Sequence, residues 1–110
     1  MDRLEIAKLI ENLEAEINNG GFDQFFYNSA GDDTTETIRA LETIGASTMA
    51  DIVKRAAAKF PGGMPPKDRF QRQEALLQVS PESDAFEELD AQFYGYPDDL
   101  SDLLKEYSSK

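Results

Sequence analysis

The chain reads as all-α, a single compact domain of about six or seven short helices spanning residues 1–110. Three observations predict this. Apolar residues recur at three- and four-residue intervals through most of the sequence, the period of one helix face. No stretch alternates polar and apolar residues for long enough to make a strand. Each helical run is bounded by Gly, Pro or a small polar residue of the kind that starts or stops a helix. A chain of 110 residues buries somewhat over ~60% of its unfolded surface, enough for one core without covalent staples.

The first helix runs from Asp2 to Asn18. Ile6, Ile10, Leu13 and Ile17 form its apolar stripe and Leu9 widens it. Asp2 with Glu5 three residues on is a capping box. Asn19-Gly20-Gly21 ends the helix, because glycine enters the left-handed conformation without steric cost. A short aromatic helix follows, from Phe22 to Asn28. Phe22, Phe25 and Phe26 stand at i, i+3 and i+4, which puts three rings on one side. Each ring can bury roughly 150–250 Å², so the first reading is a core anchor. Gln24 and Asn28 lie on another side, placed to bond neighbouring backbone. The second reading makes them polar guides of a ring-lined ligand pocket.

Ser29-Ala30-Gly31-Asp32 is a turn by composition. Asp33 caps the next helix with Glu36 in the reciprocal position; Ile38, Leu41 and Ile44 are its inner face and Gly45 its end. Ser47 or Thr48 caps the helix after it, and Asp51 supports the first turn. Met49, Ile52, Val53, Ala56, Ala57 and Phe60 give the clearest amphipathic pattern in the chain. Residues 61–66, rich in Pro and Gly, are a surface loop. Asp68 with Gln71 opens a helix to about Gln78, with Phe70, Leu76 and Leu77 as apolar contacts. Residues 80–83 break it and cap the next, whose inner face is Phe86, Leu89 and Phe93. Gly95-Tyr96-Pro97 ends that one. Asp98 or Asp99 starts the last helix, with Leu100, Leu103, Leu104 and Tyr107 inside and Ser108 to Lys110 fraying.

Charge is the strongest compositional feature, with 22 acids, 11 bases and a net of −11. Residues 1–53 hold 11 acids and 3 bases, and residues 74–110 hold 10 and 2. The block between them, residues 54–73, holds 6 bases and 1 acid. Nucleic acid is a poor partner for such a chain, since phosphate binding needs basic surface. Absence of cysteine and histidine removes disulfides, thiolate sites, the commonest zinc ligand and the commonest general base. No Gly-x-x-x-x-Gly-Lys cradle for phosphates is present. Asp32-Asp33 and Asp98-Asp99 lack the glycine and closing glutamate of a calcium loop. No catalytic residue, metal ligand or cofactor motif emerges, and the expectation is a protein that is not an enzyme. No apolar run approaches the ~18 residues of a membrane span. The N-terminus lacks the basic start and apolar block of a signal peptide. A cytoplasmic location is expected.

Two constellations stand out. Asp90 sits at the edge of the apolar face formed by Phe86 and Phe93. A buried carboxylate needs a partner, and Arg69 and Arg72 on the preceding helix are placed to supply one; an ion pair between the two helices is expected. The second is a pair of acidic faces. Asp84, Glu87 and Glu88 share one side of their helix. Asp99, Asp102 and Glu106 lie opposite the leucines of the last one. They are the candidate surface for docking a basic partner protein.

The run from Asn19 to Ser29, with Gly20, Gly21, Phe22, Gln24, Phe25, Phe26 and Asn28 as its motif, resembles the signature of the bacterial DNA-mimic-protein domain family. Ala40-Leu41-Glu42-Thr43-Ile44-Gly45-Ala46 fits the same pattern. So do Phe60-Pro61, the segment from Pro66 to Arg72, and Leu89-Asp90-Ala91-Gln92-Phe93-Tyr94. The similarity runs from about Glu16 to Tyr107. It implies an all-helical fold without known catalytic residues. It also implies, as in the best-understood type of member, an acidic dimer whose carboxylates imitate DNA phosphates on the DNA-binding surface of a transcription factor. A basic, DNA-binding protein is then the expected partner and a homodimer the expected assembly. Two alternatives stay open: a small-ligand domain built on the aromatic stretch, and a toxin-neutralising immunity protein.

Overall fold

Gly20 and Gly21 bend one long helix where the sequence suggested two. In the computed structural model, which describes residues 1–109, helix α1 spans Arg3–Tyr27. Gly20 (φ −156°, ψ 20°) and Gly21 (φ 70°, ψ −169°) are its only non-helical residues. The break is confined to two residues because glycine alone takes the positive φ cheaply, so the aromatic segment resumes at once. A 3-10 turn at Ser29–Asp33 leads to α2 (Thr34–Thr43) and α3 (Ser47–Ala57); a second at Pro61–Gly63 precedes α4 (Arg69–Val79), α5 (Glu87–Tyr94) and α6 (Leu100–Ser108). The described residues therefore form an all-α fold of six helices with no strand. None of these helices is long and apolar enough to cross a membrane. Lys110, part of the expected frayed end, lies outside the described residues; α6 itself is helical through Ser108.

Helix α1 is the axis of the packing. It touches α2, α4, α5 and α6, while α3 closes against α2 and α5. Ile6, Ile10, Leu13 and Ile17 are buried along its first part and Phe22, Phe25 and Phe26 along its second. Phe26 meets Phe60 at the end of α3 (4.9 Å between centroids) and Phe86 before α5 (5.4 Å). Phe22 meets Phe93 of α5 edge-on at 6.2 Å. Such ring pairs contribute about 0.5–1.5 kcal/mol each beyond the area they bury. The aromatic stretch is thus the joint that holds α3 and α5 to α1.

The expected caps hold at three helices: Asp2, Asp68 and Asp99 accept the amides of Glu5, Gln71 and Asp102 at 2.8, 3.0 and 3.0 Å. Elsewhere the capping differs. Asp33 stands before α2 without a side-chain cap bond. Neither Ser47 nor Thr48 caps α3; the Met49 amide donates instead to Asp98 Oδ2 at 2.8 Å. Asp51 pairs with Arg55 one turn on. On α4, Leu76 is buried but Phe70 and Leu77 are 79% and 71% exposed, because Arg72 occupies the inward side of that helix.

Candidate functional site

Arg72 is wholly buried and uses every donor of its guanidinium. Nε donates to Phe26 O at 2.7 Å. Nη1 donates to Pro66 O and Lys67 O at 3.1 and 3.0 Å. Nη2 donates to Asn28 O at 2.9 Å and to Asp32 Oδ1 at 2.7 Å. An arginine has five such donors in a fixed fork, and here each has an acceptor. Arg69 reaches the other oxygen of Asp32 at 3.3 Å. Burial pushes the Asp32 carboxyl up, but the hydrogen bonds and charges of Arg72 and Arg69 outweigh it and hold it below its ordinary value. Gly31 belongs to the same arrangement: a Cβ there would lie 2.8 Å from Arg72 Nε.

The expected ion pair of Asp90 with Arg69 or Arg72 is therefore not formed. Both arginines are committed to Asp32, and Asp90 Oδ1 accepts the Phe22 amide at 2.8 Å. The bend at Gly20-Gly21 strips Phe22 of a helical acceptor, and Asp90 replaces it from α5. A Cβ on Gly21 would collide with the Asp90 carboxylate, so this glycine serves both the positive φ and the close approach. Burial pushes the Asp90 carboxyl up; the charges of Asp23 and Glu87 add to this, against the opposing bond from Phe22. Asp23 is likewise raised by burial, opposed by a hydrogen bond with Ser80 and reinforced by the charge of Asp84.

The rest of the aromatic motif is spent within α1. Gln24 Oε1 accepts from Asn19 at 2.9 Å, across the bend, and Asn28 donates to Glu16 at 2.8 Å. The three rings are closed to solvent.

All six residues of the acidic trios are exposed: Asp84, Glu87 and Glu88 around the start of α5, and Asp99, Asp102 and Glu106 on α6. The two helices both rest on α1. Asp99 has one oxygen engaged as the α6 cap. The distribution of ion pairs sets these acids apart. Every ion pair among the described residues joins the basic block to an acid between residues 32 and 51: Lys54 to Glu42 (2.7 Å), Arg55 to Asp51 (3.0 Å), Lys67 to Glu36 (3.4 Å), and Arg69 and Arg72 to Asp32. Five of the six bases of the block are paired internally in this way, and none of the trio acids joins an ion pair among the described residues. Sequence reading missed this division, because four of the five pairs join residues 12 to 40 positions apart and leave no periodic trace.

The family model described as DMP19-like protein matches residues 4–110. Neither the curated proteins nor the solved structures give a match to this chain.

Proposed function

Because this chain belongs to the DMP19-like protein family, we propose that it is a non-enzymatic, acidic interaction domain that acts as a DNA mimic on the basic surface of a DNA-binding protein. The observation that carries this reading is the segregation of charge. Five of the six bases of the basic block pair with acids of residues 32–51, and the exposed trio carboxylates of α5 and α6 join no ion pair among the described residues. On one helix face such residues have Cβ atoms about 5–6 Å apart, and like charges there repel by a few tenths of a kcal/mol per pair. A surface that neutralises phosphates with Lys and Arg would meet fixed negative charge of the same sign here. Charge of one sign also steers encounter with a basic partner. A homodimer would lengthen the acidic surface. Burial of Phe22, Phe25 and Phe26 lends no support to a ring-lined ligand pocket. An immunity protein could use the same acidic faces, and competition by DNA distinguishes the two.

The test is titration of candidate DNA-binding proteins at two salt concentrations, with duplex DNA as competitor. A mimic binds less tightly as salt rises, because the Debye length falls from about 10 Å at 0.1 M to about 3 Å at 1 M. DNA must also displace it. Salt-sensitive binding that DNA leaves intact would reject mimicry and keep the interaction.

A further inference from the structure

Helix α4 carries an exposed apolar face that the acidic trios do not involve. Phe70, Glu74 and Leu77 stand at i, i+4 and i+7, on one side of the helix, with Phe70 79% and Leu77 71% exposed. Tyr27, at the end of α1, is 56% exposed beside them; Gln73 donates to its carbonyl at 2.8 Å and fixes the two helices there. Between Tyr27 and Leu77 opens a cleft of about 380 Å³ that runs to Asp23 and Ser80. Two large apolar side chains this exposed on one short helix are not needed by the core, which α4 already serves through Leu76 and Arg72.

We infer that this α4 face and its cleft are a docking surface for a cationic amphipathic helix of a partner protein, with apolar anchors seated on Tyr27, Phe70 and Leu77. Charge complementarity selects this occupant. Glu74 lies between the two apolar side chains and pairs with no cation among the described residues, and Asp23, within reach of the charge of Asp84, closes the cleft. The cations at the start of α4 are already taken, Arg69 and Arg72 by Asp32 and Lys67 by Glu36. A second copy of this chain, with its net charge of −11, would bring further acids to an acidic rim. Helix-in-groove recognition by spaced apolar anchors needs a face of this kind. The charge of Asp84, in the first trio, reaches Asp23 in the cleft, but the apolar anchors lie on α1 and α4, outside both trios, and the inference does not depend on mimicry of DNA.

The probe is a labelled amphipathic helical peptide of leucine and lysine, compared with a scrambled peptide of the same composition. Fluorescence anisotropy should show the ordered peptide binding the full chain at least about tenfold more tightly than the scrambled one, a difference of ~1.4 kcal/mol. The double variant Phe70→Ser, Leu77→Ser should lose a similar factor, and Glu74→Lys should lose affinity and salt sensitivity. Both serine positions are exposed, so an unchanged melting curve is expected. Amide chemical-shift mapping on the unaltered chain gives a second readout, with shifts expected around Tyr27, Glu74 and Leu77. The inference is overturned by equal binding of the two peptides, or by full affinity in the double-serine variant. It is equally overturned by shifts confined to the trios of α5 and α6. A dimer that the double-serine variant converts to monomer, with no peptide binding, would assign the face to self-association instead.

Discussion

The Asp90 carboxylate accepts the Phe22 amide at 2.8 Å across the bend of α1, through a gap that glycine at position 21 leaves open. The bond joins residues 68 positions apart, and it caps the aromatic segment as an N-cap side chain caps an ordinary helix. Losing such a cap costs about 0.5–2 kcal/mol. Asp90→Ala should therefore destabilise by that order in a urea titration. Gly21→Ala should cost more, since it meets both a φ of 70° and the Asp90 carboxylate. An equally stable Gly21→Ala variant would show that the close approach is dispensable.

The same carboxylate predicts a pH dependence. Asp90 and Asp23 both have folded values raised above the ordinary 3.8. The folded protein therefore binds these protons more tightly than the unfolded chain does. The penalty of ionising them is full above the folded values, and stability rises as pH falls through those values toward 3.8. Asp32 works in the opposite sense. Its folded value lies below 3.8, so its contribution is present above that pH and lost as pH falls through the folded value. Through these groups, melting temperature should climb as pH falls toward 3.8 and fall again below it. Asp90→Asn should flatten the climb, and a profile unchanged by that substitution would remove Asp90 from the explanation.

Arg72 should be the most sensitive polar position in the chain. Its five donors meet four carbonyls and one carboxylate while the side chain is wholly buried. Leaving buried acceptors unsatisfied costs about 1–3 kcal/mol or more, so Arg72→Met, which orphans four carbonyls while Asp32 stays partly solvated, should cost about 3 kcal/mol. Arg72→Lys should not rescue it, because an ammonium has three donors and no fork. Arg69→Ala, which removes a half-exposed partner of the same Asp32, should cost under about 1 kcal/mol. Chemical denaturation of the three variants checks the order.

Phe25 and Phe70 give the contrast for packing. Phe25 is closed to solvent and Phe70 is 79% exposed. Phe25→Ala should cost about 3–5 kcal/mol, and Phe70→Ala should stay within about 0.5 kcal/mol. These two residues also mark where the sequence is legible. Along α1 and α3 the apolar stripe is continuous, and its members are buried as the period demands. On α4 the apolar residues do not form one stripe, and a buried arginine takes the inward side, so Phe70 and Leu77 were misassigned as core contacts. Capping followed the same division. Asp2, Asp68 and Asp99 cap their own helices three residues on. Asp90 and Asp98 cap helices 68 and 49 positions away, and nothing local in the sequence says so. The acidic trios were legible as helix faces because they depend only on helical spacing. Their lack of cations was not, since it follows from tertiary pairing of the basic block.

Charge reversal should separate docking from stability. In the variant carrying Asp84→Lys, Glu87→Lys and Glu88→Lys, three exposed carboxylates that join no ion pair among the described residues are replaced. No ion-paired or side-chain hydrogen-bonded partner is orphaned, and the repulsion of Asp84 on Asp23 and of Glu87 on Asp90 is removed, so the melting temperature should not fall. Association with a basic partner should slow about tenfold or more at low salt, because surface charges act on encounter more than on the docked state. The difference should shrink as salt rises and the Debye length contracts. Glu42→Lys is the control. It also reverses an exposed acid, but one already neutralised by Lys54 at 2.7 Å; it should leave a lysine without its partner and slow association less per reversed charge than the triple reversal does. Stopped-flow association at two salt concentrations reads both variants. If the slowing per reversed charge is the same in Glu42→Lys as in the triple reversal, net charge alone governs binding and the trio has no special part in it.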